Sequence, residues 1–199
     1  MTAFRKPLAT LAPNAAPFAI RAERASDVVA REALLDACFG ENRHARTCQR
    51  LRDGRVPAEG LAFSAVREGK LVGTLRLWHV SAGAVPALIL GPLAVETGSR
   101  KLGVGAALMD HALAAADARG HRAVILLGDA PYYARFGFSA DKTGALALPG
   151  PFERERLLGL ELSEGALDGV TGMIVPSGAF SLRARRAGKR ASRPVPQAA

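Results

Sequence analysis

The chain has 199 residues, enough for one domain with a full hydrophobic core, and its 49% hydrophobic and 23% charged residues are ordinary for a globular protein. No apolar run reaches about 18 residues and the N-terminal stretch lacks a continuous apolar segment, which argues against a membrane span and a cleaved signal peptide. Cys38 and Cys48 form neither a C-x-x-C pair nor a metal-ligand spacing, so we expect reduced thiols, no metal site and a cytoplasmic protein.

The net charge of +9 is concentrated at the two ends of the chain. Six basic residues follow the last acidic residue, Asp168, and two more stand near the N-terminus, so eight of the nine net charges lie outside the central region. The C-terminal segment is rich in Ala, Pro, Ser and Arg, a composition typical of disorder. We predict an unstructured leader at 1–17, a single domain at 18–181 and a basic, disordered tail at 182–199. Such a tail favours weak contact with polyanions rather than a dedicated nucleic-acid function.

In chain order, residues 17–24 are predicted to form the first strand, and Ser26 or Asp27 to cap a helix over 27–39, whose apolar residues recur at helical spacing. A very polar short helix or loop over 41–54 comes next. Its basic side chains are Arg43, Arg46, Arg50 and Arg52. We expect them to lie on a solvated face, the alternative being that they attract a substrate with a carboxylate.

Two strand patterns follow in the middle of the chain. Residues 63–83 alternate around the triplet at 68–70, Glu-Gly-Lys, which predicts a hairpin with a tight turn. Residues 87–96 are nearly all apolar, which predicts a strand covered on both faces. Because proline cannot donate to a strand ladder, we expect this strand to bulge or splay at Gly91-Pro92.

A helix is predicted to begin near Leu102 and to end at Gly120, which suits a left-handed C-terminal position. Its buried stripe is predicted from apolar residues at spacings of four, four and three: Val104, Leu108, Ala112 and Ala115. A buried strand over 121–129 and a short helix running into a further strand over 130–138 come next. This alternation predicts an α/β or α+β fold with helices on both faces of a sheet.

The turn from Arg100 to Ala106 has the composition of an anion site. The first N–H groups of the helix lack internal partners, and the helix dipole makes them favour negative charge. Gly103 and Gly105 carry no Cβ, so an anion can approach the backbone closely, and Arg100 and Lys101 add positive charge. A P-loop would need Lys-Ser/Thr after Gly103, and a dinucleotide-binding loop would need glycine or alanine where Leu108 stands. Neither pattern is met.

Residues 93–109, LAVETGSRKLGVGAALM, resemble the acyl-CoA-binding motif of the GCN5-related N-acetyltransferase (GNAT) superfamily. That motif runs strand, turn, [Arg/Gln]-x-x-Gly-x-[Gly/Ala], helix, and Arg100, Gly103 and Gly105 occupy its defining positions. Thr97 departs from it, since many members have proline there. Residues 131–138, PYYARFGF, resemble the family's Tyr-x-[Lys/Arg]-x-Gly-Phe segment at the expected distance. The two motifs together identify the chain as similar to a bacterial subgroup of predicted acetyltransferases.

The resemblance implies a GNAT-type fold: a central, mostly antiparallel, splayed mixed sheet with helices on both faces. It implies acetyl-CoA as co-substrate and no metal. The residues it assigns to the coenzyme are Leu93, Ala94, Val95, Arg100, Lys101, Leu102, Gly103, Val104, Gly105 and Ala106. It assigns the role of general acid toward the departing thiolate to Tyr133, four residues before Gly137, because a phenol with a pKa near 10 stays protonated at neutral pH. Tyr132, about 100° away on a helix, is expected to pack instead.

Several points stay open at this level. Glu96 and Asp129 are both candidates for the base that deprotonates the amine, and both also suit a capping role. The function predicted is N-acetyl transfer from acetyl-CoA to a primary amine, with a small molecule or a peptide as acceptor. The alternative is a CoA-binding sensor or pseudoenzyme that does not turn over an acceptor. Family members often dimerise, so a homodimer is a further expectation.

Overall fold

The computed structural model describes residues 17–182, and the predicted leader and basic tail lie, apart from residues 17 and 182, outside this range. Within it the chain forms nine β-strands: β1 (Ala19–Ala22), β2 (Ala62–Arg67), β3 (Lys70–Ala82), β4 (Val85–Leu90), β5 (Ala94–Val95), β6 (Ala123–Leu127), β7 (Leu146–Ala147), β8 (Leu157–Glu161) and β9 (Gly172–Pro176). Its α-helices are α1 (Val28–Phe39), α2 (Val104–Asp117) and α3 (Ala130–Ala134). None of the helices in 17–182 has both the length and the hydropathy that crossing a membrane requires.

The strands form one mixed, mostly antiparallel sheet in the order β1-β2-β3-β4-β6-β8, with β5 and β9 paired to β3 and β7 paired to β9. Among these pairs, β4–β6 and β7–β9 are parallel. A two-residue turn joins β2 to β3, and both of its residues have positive φ, 51° at Glu68 and 76° at Gly69. These dihedrals match the right-handed twist of a hairpin. The turn is one residue shorter than predicted, because Lys70 already belongs to β3.

The predicted strand over 87–96 is broken in the middle. Leu90 at the end of β4 lies opposite Leu77, and Ala94 at the start of β5 lies opposite Thr74. Three residues, 91–93, therefore face two residues of β3, which is the arrangement of a β-bulge. The bulge expected at Gly91-Pro92 is confirmed.

The sheet also splays at this bulge. The parallel pairing of β4 with β6 ends at Ile89 and Ile125, and β5 pairs with β3 but not with β6. The backbone edge of β5 that faces away from β3 consequently has no strand partner. A gap between β5 and β6 is the result, and it positions the functional site described below.

Helices cover opposite faces of the sheet, as predicted. On β2, Phe63 and Ala65 belong to the buried cluster that includes α2, whereas Ser64 between them donates to the Asp27 carboxylate at the start of α1 (3.0 Å). The side chains of the central strands β4 and β6 likewise alternate between the two faces of the sheet. Leu88 and Val124 join the α2 cluster, and their chain neighbours join a second cluster under Leu51 and the loops after β7 and β8. The near-continuous apolar runs of β4 and β6 therefore reflect cover on both faces.

The α2 helix ends where the sequence indicates. Gly120 has φ 75°, its N–H donates to Asp117 (2.8 Å), and the N–H of His121 donates to Ala116 (3.1 Å), the two hydrogen bonds of a Schellman motif. The buried stripe differs from the prediction in one position. Ala116 is fully buried and Ala115 only half-buried, because the helical period of 3.6 residues favours the step of four from Ala112.

Asp27 has another role than the predicted helix cap. It precedes α1 but makes no side-chain hydrogen bond to that helix. Its carboxylate instead accepts two hydrogen bonds from the Arg21 guanidinium (2.6 and 2.8 Å), one from the N–H of Arg24 (2.8 Å) and one from Ser64. The carboxylate thus ties β1, β2 and the entry to α1 together.

Candidate functional site

Two adjacent cavities follow the break between β4 and β5. We call the first, about 870 Å³ in volume and lined by residues from Leu90 to Leu93, the large cleft. We call the second, about 470 Å³ and lined by β5 and the turn after it, the glycine groove. Phe39, Leu93, Arg100 and Tyr132 line both of them. A ligand in the glycine groove would therefore extend directly into the large cleft.

The glycine groove combines open backbone with positive charge. Its lining residues are Cys38, Phe39, Leu93, Ala94, Val95, Arg100, Lys101, Gly103, Gly105, Ala106, Tyr132 and Arg135. Three of these are cations, and none of the residues in 17–182 that line the groove is acidic. Arg135 also stacks on the Tyr132 ring, with its guanidinium carbon 4.0 Å from the ring centroid. The groove is electrostatically suited to an anion.

The start of α2 supplies the hydrogen-bond donors of this groove. Gly103 adopts the left-handed conformation (φ 77°, ψ 8°) and is the N-cap of α2. Ala107 N–H donates to its carbonyl (3.0 Å), so the N–H groups of 104–106 precede the first intrahelical hydrogen bond. A Cβ on Gly105 would lie only 2.9 Å from the Tyr132 hydroxyl. Glycine suits position 103 because the backbone there is left-handed, and it suits position 105 because a side chain there would collide with Tyr132.

Eight of the ten residues that the family resemblance assigns to the coenzyme line this groove. The two that do not are Leu102 and Val104. Val104 is completely buried among the residues that pack against α2, and Leu102 is half-buried at the edge of the same cluster. The side chains of these two residues belong to the core, and of the two only Val104 has its N–H group among the free donors at the start of α2.

The large cleft has walls from four separate parts of the chain. The end of α1 and the segment 43–52 form one wall, and the β4–β5 break forms the next. The end of β6 with α3 forms the third, and the loop at 151–156 closes the fourth. No local pattern predicts that the loop at 151–156 belongs to the site, because β7 and β8 bring it to the cleft through tertiary pairing alone.

Tyr133 lies in the large cleft against the end of β6. A Cβ on Gly128 would collide with its ring, so the absence of a side chain at Gly128 makes room for the tyrosine. The ring also packs at right angles to Tyr132, with centroids 4.9 Å apart. Burial, followed by the nearby Tyr132 and Asp129, raises the pKa of Tyr133 to about 12. The phenol consequently holds its proton across the neutral range and is available there as a proton donor.

Tyr132 does more than the packing expected of it. It lines both cavities, and its hydroxyl lies against the backbone of Gly105 at the start of α2. On a helix the two tyrosines are expected to point about 100° apart, so that only one of them faces the sulfur of the coenzyme. Because α3 has only five residues and projects between the two cavities, both rings reach the site.

The two acidic candidates differ in placement. Asp129 lines the large cleft, and although it is the N-cap residue of α3, its side chain makes no capping hydrogen bond. Glu96 lines neither cavity, and its carboxylate accepts a hydrogen bond from the Ser99 hydroxyl (3.2 Å) in the turn that precedes Gly103. The geometry therefore brings Asp129 to the site and leaves Glu96 in a structural role.

The polar segment 41–54 consists mainly of two short 3-10 helices, Glu41–Ala45 and Thr47–Leu51, and it is not simply a solvated face. Arg43 forms ion pairs with Glu32 (2.5 Å) and Asp36 (2.6 Å) of α1. Arg52 lines the large cleft. In the described part of the chain, no group of three or more His, Cys, Asp or Glu side chains is arranged to hold a metal ion.

Comparison with known families gives one match across this region. The model described as the acetyltransferase (GNAT) family matches residues 29–138. This range includes β2 to β6, the motif glycines Gly103 and Gly105, and both tyrosines. Among curated proteins, the chain is 29% identical over 157 residues to the uncharacterized N-acetyltransferase YhbS of Escherichia coli strain K12. That similarity covers 78% of this chain and 93% of the relative.

Two solved structures share the architecture. The crystal structure of YhbS from Escherichia coli in complex with CoA superposes with a TM-score of 0.72 at 27% identity, covering 84% of this chain and 94% of that one. A GNAT family acetyltransferase from Brucella melitensis, in complex with acetyl-CoA, gives a TM-score of 0.54 at 24% identity, covering 77% and 100% of the two chains. The second likeness concerns the fold alone.

Proposed function

The chain belongs to the acetyltransferase (GNAT) family, and from that premise we propose that it transfers the acetyl group of acetyl-CoA to a primary amine by direct attack in a ternary complex. One observation carries the proposal. A cationic groove over the N-terminus of α2 adjoins a second cleft that contains a protonated tyrosine and a carboxylate without a capping role. Coenzyme, thioester and amine would each have a place along that continuous path.

The glycine groove fits the diphosphate of the coenzyme. The N–H groups at 104–106 point outward from the start of α2, and Arg100, Lys101 and Arg135 surround them. Linked phosphates use several adjacent N–H donors at a helix N-terminus in this way. The unpaired edge of β5 offers further backbone groups for the amide-containing arm of the coenzyme. The CoA found in the related YhbS structure supports this assignment.

Tyr133 is the proposed general acid. Acetyl-CoA supplies the activated acetyl thioester, and transfer of that acetyl group releases a thiolate that must gain a proton. The hydroxyl of Tyr133 keeps its proton because burial raises its pKa, so the donor form is present at neutral pH. Asp129 is the proposed base toward the amine, because its carboxylate lines the same cleft. Both groups stand on the wall of the large cleft formed by the end of β6 and α3, with Tyr133 as the proposed donor to the thiolate and Asp129 as the proposed acceptor from the amine.

Thermal unfolding with acetyl-CoA tests the coenzyme part of the proposal. At a hundredfold excess over Kd, binding stabilises the folded state by about 2.7 kcal/mol, which raises Tm by roughly 5–10 °C for a domain of this size. Gly105→Val should abolish that shift, because its side chain would enter the space next to the Tyr132 hydroxyl. Gly98→Ala is the matched control, since Gly98 has open space around it and lines neither cavity.

A screen of amines tests whether the protein transfers the acetyl group to an acceptor. Amino acids, polyamines, aminoglycosides and peptides with free N-termini are incubated with enzyme and acetyl-CoA, and release of the free thiol of CoA is followed. Acetylation of any amine that disappears in Tyr133→Phe supports the proposal. A normal Tm shift without acetylation of any amine would instead indicate a CoA-binding sensor. The absence of a Tm shift would contradict both the transferase and the sensor function.

A further inference from the structure

One cation of the large cleft has no partner. Arg52 follows the completely buried Leu51, which anchors this segment in the core on the far side of the sheet from α2. The N–H of Arg52 donates to Gln49 (2.9 Å), so the backbone is fixed as well. Its side chain lines the cleft near the β4–β5 break, where a guanidinium nitrogen lies 3.9 Å from the position of a Cβ on Gly91.

Arg52 is half-buried, and the Nε of its guanidinium is buried without an acceptor. Its Nε is inaccessible to solvent and makes no hydrogen bond, and no residue in 17–182 forms an ion pair with it. The adjacent Asp53 attracts the charge of Arg52 but forms no ion pair with it, and its carboxylate accepts a hydrogen bond from Gln49 Nε2 (2.6 Å) instead. Burial lowers the pKa of Arg52. An arginine keeps its charge in proteins nevertheless, so the unmet donors persist.

Neighbouring arginines show what is missing. Arg43 and Arg76 both lie close enough to Arg52 to repel its charge. Each of them has carboxylate partners: Arg43 pairs with Glu32 and Asp36, and Arg76 Nε donates to Glu23 (2.6 Å). A buried charge without a partner is strongly unfavourable, and proteins retain such groups where a ligand completes them.

We propose that Arg52 binds an oxyanionic group of the acceptor, a carboxylate or a phosphoryl group, so that the substrates are amines that also carry such an anion. This inference rests on the proposed acetyl transfer. A guanidinium presents a planar fork of donors that matches both oxyanions. A cation and a carboxylate stand on different walls of the large cleft. Arg52 is on the wall formed by 43–52, and Asp129 is on the wall formed by β6 and α3.

The acids of the cleft agree with this orientation. Besides Asp129, the described lining contains Glu153, which forms an ion pair with Arg156 (3.5 Å). Asp129 therefore stands as the carboxylate without an ion pair. Arg46 and Arg100 also line the cleft without ion pairs, but each donates to a backbone carbonyl (3.3 Å), so Arg52 is the cation of the described lining whose Nε has no acceptor. A zwitterionic acceptor would place its ammonium group toward Asp129 and its oxyanion toward Arg52.

The test uses matched acceptors of increasing length. One series consists of ω-amino carboxylates from glycine to 6-aminohexanoate, one of the corresponding ω-aminoalkyl phosphonates, and one of the uncharged amides of the first. We expect wild type to prefer at least one anionic series over the amides by about tenfold or more in kcat/KM. Arg52→Met should lose that preference and keep its rate on amides within about twofold, and Arg52→Lys should be intermediate. The carboxylate and phosphonate arms identify which oxyanion is used.

Arg122→Met is the matched control, because Arg122 is exposed, lines neither cavity and carries the same charge. Removal of an unpaired buried charge should not destabilise the fold, so the ligand-free Tm of Arg52→Met should equal or exceed that of wild type. The Tm shift with acetyl-CoA should be unchanged, which separates this inference from coenzyme binding.

Binding provides a second measurement that does not depend on turnover. With CoA present, the anionic acceptors should raise the Tm of wild type and of Arg122→Met but not of Arg52→Met. Equal loss of rate on amides and acids in Arg52→Met would place Arg52 at the thioester rather than at the acceptor and would overturn the inference. So would a wild type that neither binds nor prefers either anionic series while acetylating neutral amines.

Discussion

Tyr132 and Tyr133 are neighbours in α3, yet their hydroxyls have different surroundings. Tyr132 lies against Gly105 at the start of α2 and lines both cavities, whereas Tyr133 lies against Gly128 and lines only the large cleft. The ring of Tyr133 is also the more enclosed, which is why burial raises its pKa. In the proposed acetyl transfer, a hydroxyl beside the glycine groove and a hydroxyl that holds its proton would have separate uses.

Single removal of each hydroxyl should separate these uses. Tyr133→Phe is expected to lower kcat by roughly 10²-fold or more, the usual contribution of a general acid, with little change in the Kd of acetyl-CoA. Tyr132→Phe should weaken coenzyme binding more than it lowers kcat. Steady-state kinetics and calorimetric titration with acetyl-CoA measure both quantities. Wild-type turnover in Tyr133→Phe would show that Tyr132 or solvent protonates the thiolate.

Asp129 and Glu96 give a second comparison of single residues. Asp129→Asn should reduce kcat/KM by roughly 10²-fold, as expected for loss of a general base, because the Asp129 carboxylate lines the large cleft. Glu96→Gln should change it less than threefold, since Glu96 accepts from Ser99 and lines neither cavity. Rates between pH 6 and 9 are the measurement. Similar rates for Asp129→Asn and wild type would mean that the amine loses its proton to water.

At the scale of elements, the carboxylate of Asp27 joins three segments that are distant in the sequence. It binds Arg21 of β1, Ser64 of β2 and the backbone ahead of α1, and it is buried. The hydrogen bonds from Arg21 are the main cause that holds the pKa of Asp27 far below its usual range, despite the opposing effect of burial. The charged form is therefore the one that stabilises the fold.

The lowered pKa of Asp27 determines how the free energy of unfolding changes with pH. A carboxylate with a depressed pKa adds stability above the unfolded pKa of about 3.9, and this contribution is lost as pH falls below it. Asp27→Asn should lower the free energy of unfolding by about 2 kcal/mol at pH 7 and should show a smaller further loss between pH 5 and 3 than wild type. Urea unfolding at each pH measures this. Asp110→Asn, at an exposed position of α2, should leave both values unchanged.

Elements with strong local signals could be predicted closely from the sequence. Alternation around the Glu-Gly-Lys triplet at 68–70 predicts the β2–β3 hairpin, although Lys70 belongs to β3, and Gly91-Pro92 predicts the bulge. The structure differs from the prediction at individual side chains. Asp27 was expected to cap α1, but Arg21 and Ser64 compete for the same carboxylate, and only the tertiary fold brings them within reach. The polar segment 41–54 lacks an apolar period, so nothing in it predicted that Arg52 would be buried.

At the scale of the whole molecule, the two cavities depend on one feature, the separation of β5 from β6. Every residue that lines them lies between Cys38 and Arg156. Six basic residues and no acidic one follow residue 182, so +6 of the chain's net charge of +9 stands outside that region. Catalysis and the basic tail are therefore expected to be separable.

Deletion of residues 183–199 tests that separation. The shortened protein should keep the Tm shift with acetyl-CoA, because no residue of either cavity is removed. It should elute from immobilised DNA at lower salt, since six basic residues are lost and polyanion binding falls with positive charge. Unchanged elution would dismiss a role of the tail in contact with nucleic acid. A reduced acetyl-CoA shift would instead connect the tail with the site.

The sequence by itself determined the anion-binding turn, the broken strand before it and the tyrosine segment after it, because each depends on neighbouring residues and on backbone chemistry within one stretch of chain. It also sufficed for the family and the class of fold. Tertiary structure decided which side chains meet across the cleft. Gly128 makes room for Tyr133, the loop at 151–156 closes the far wall, and Arg52 faces inward without a partner. The loop and Arg52 reach the cleft from distant parts of the chain, and the physical cause is packing against the sheet, which no local pattern records.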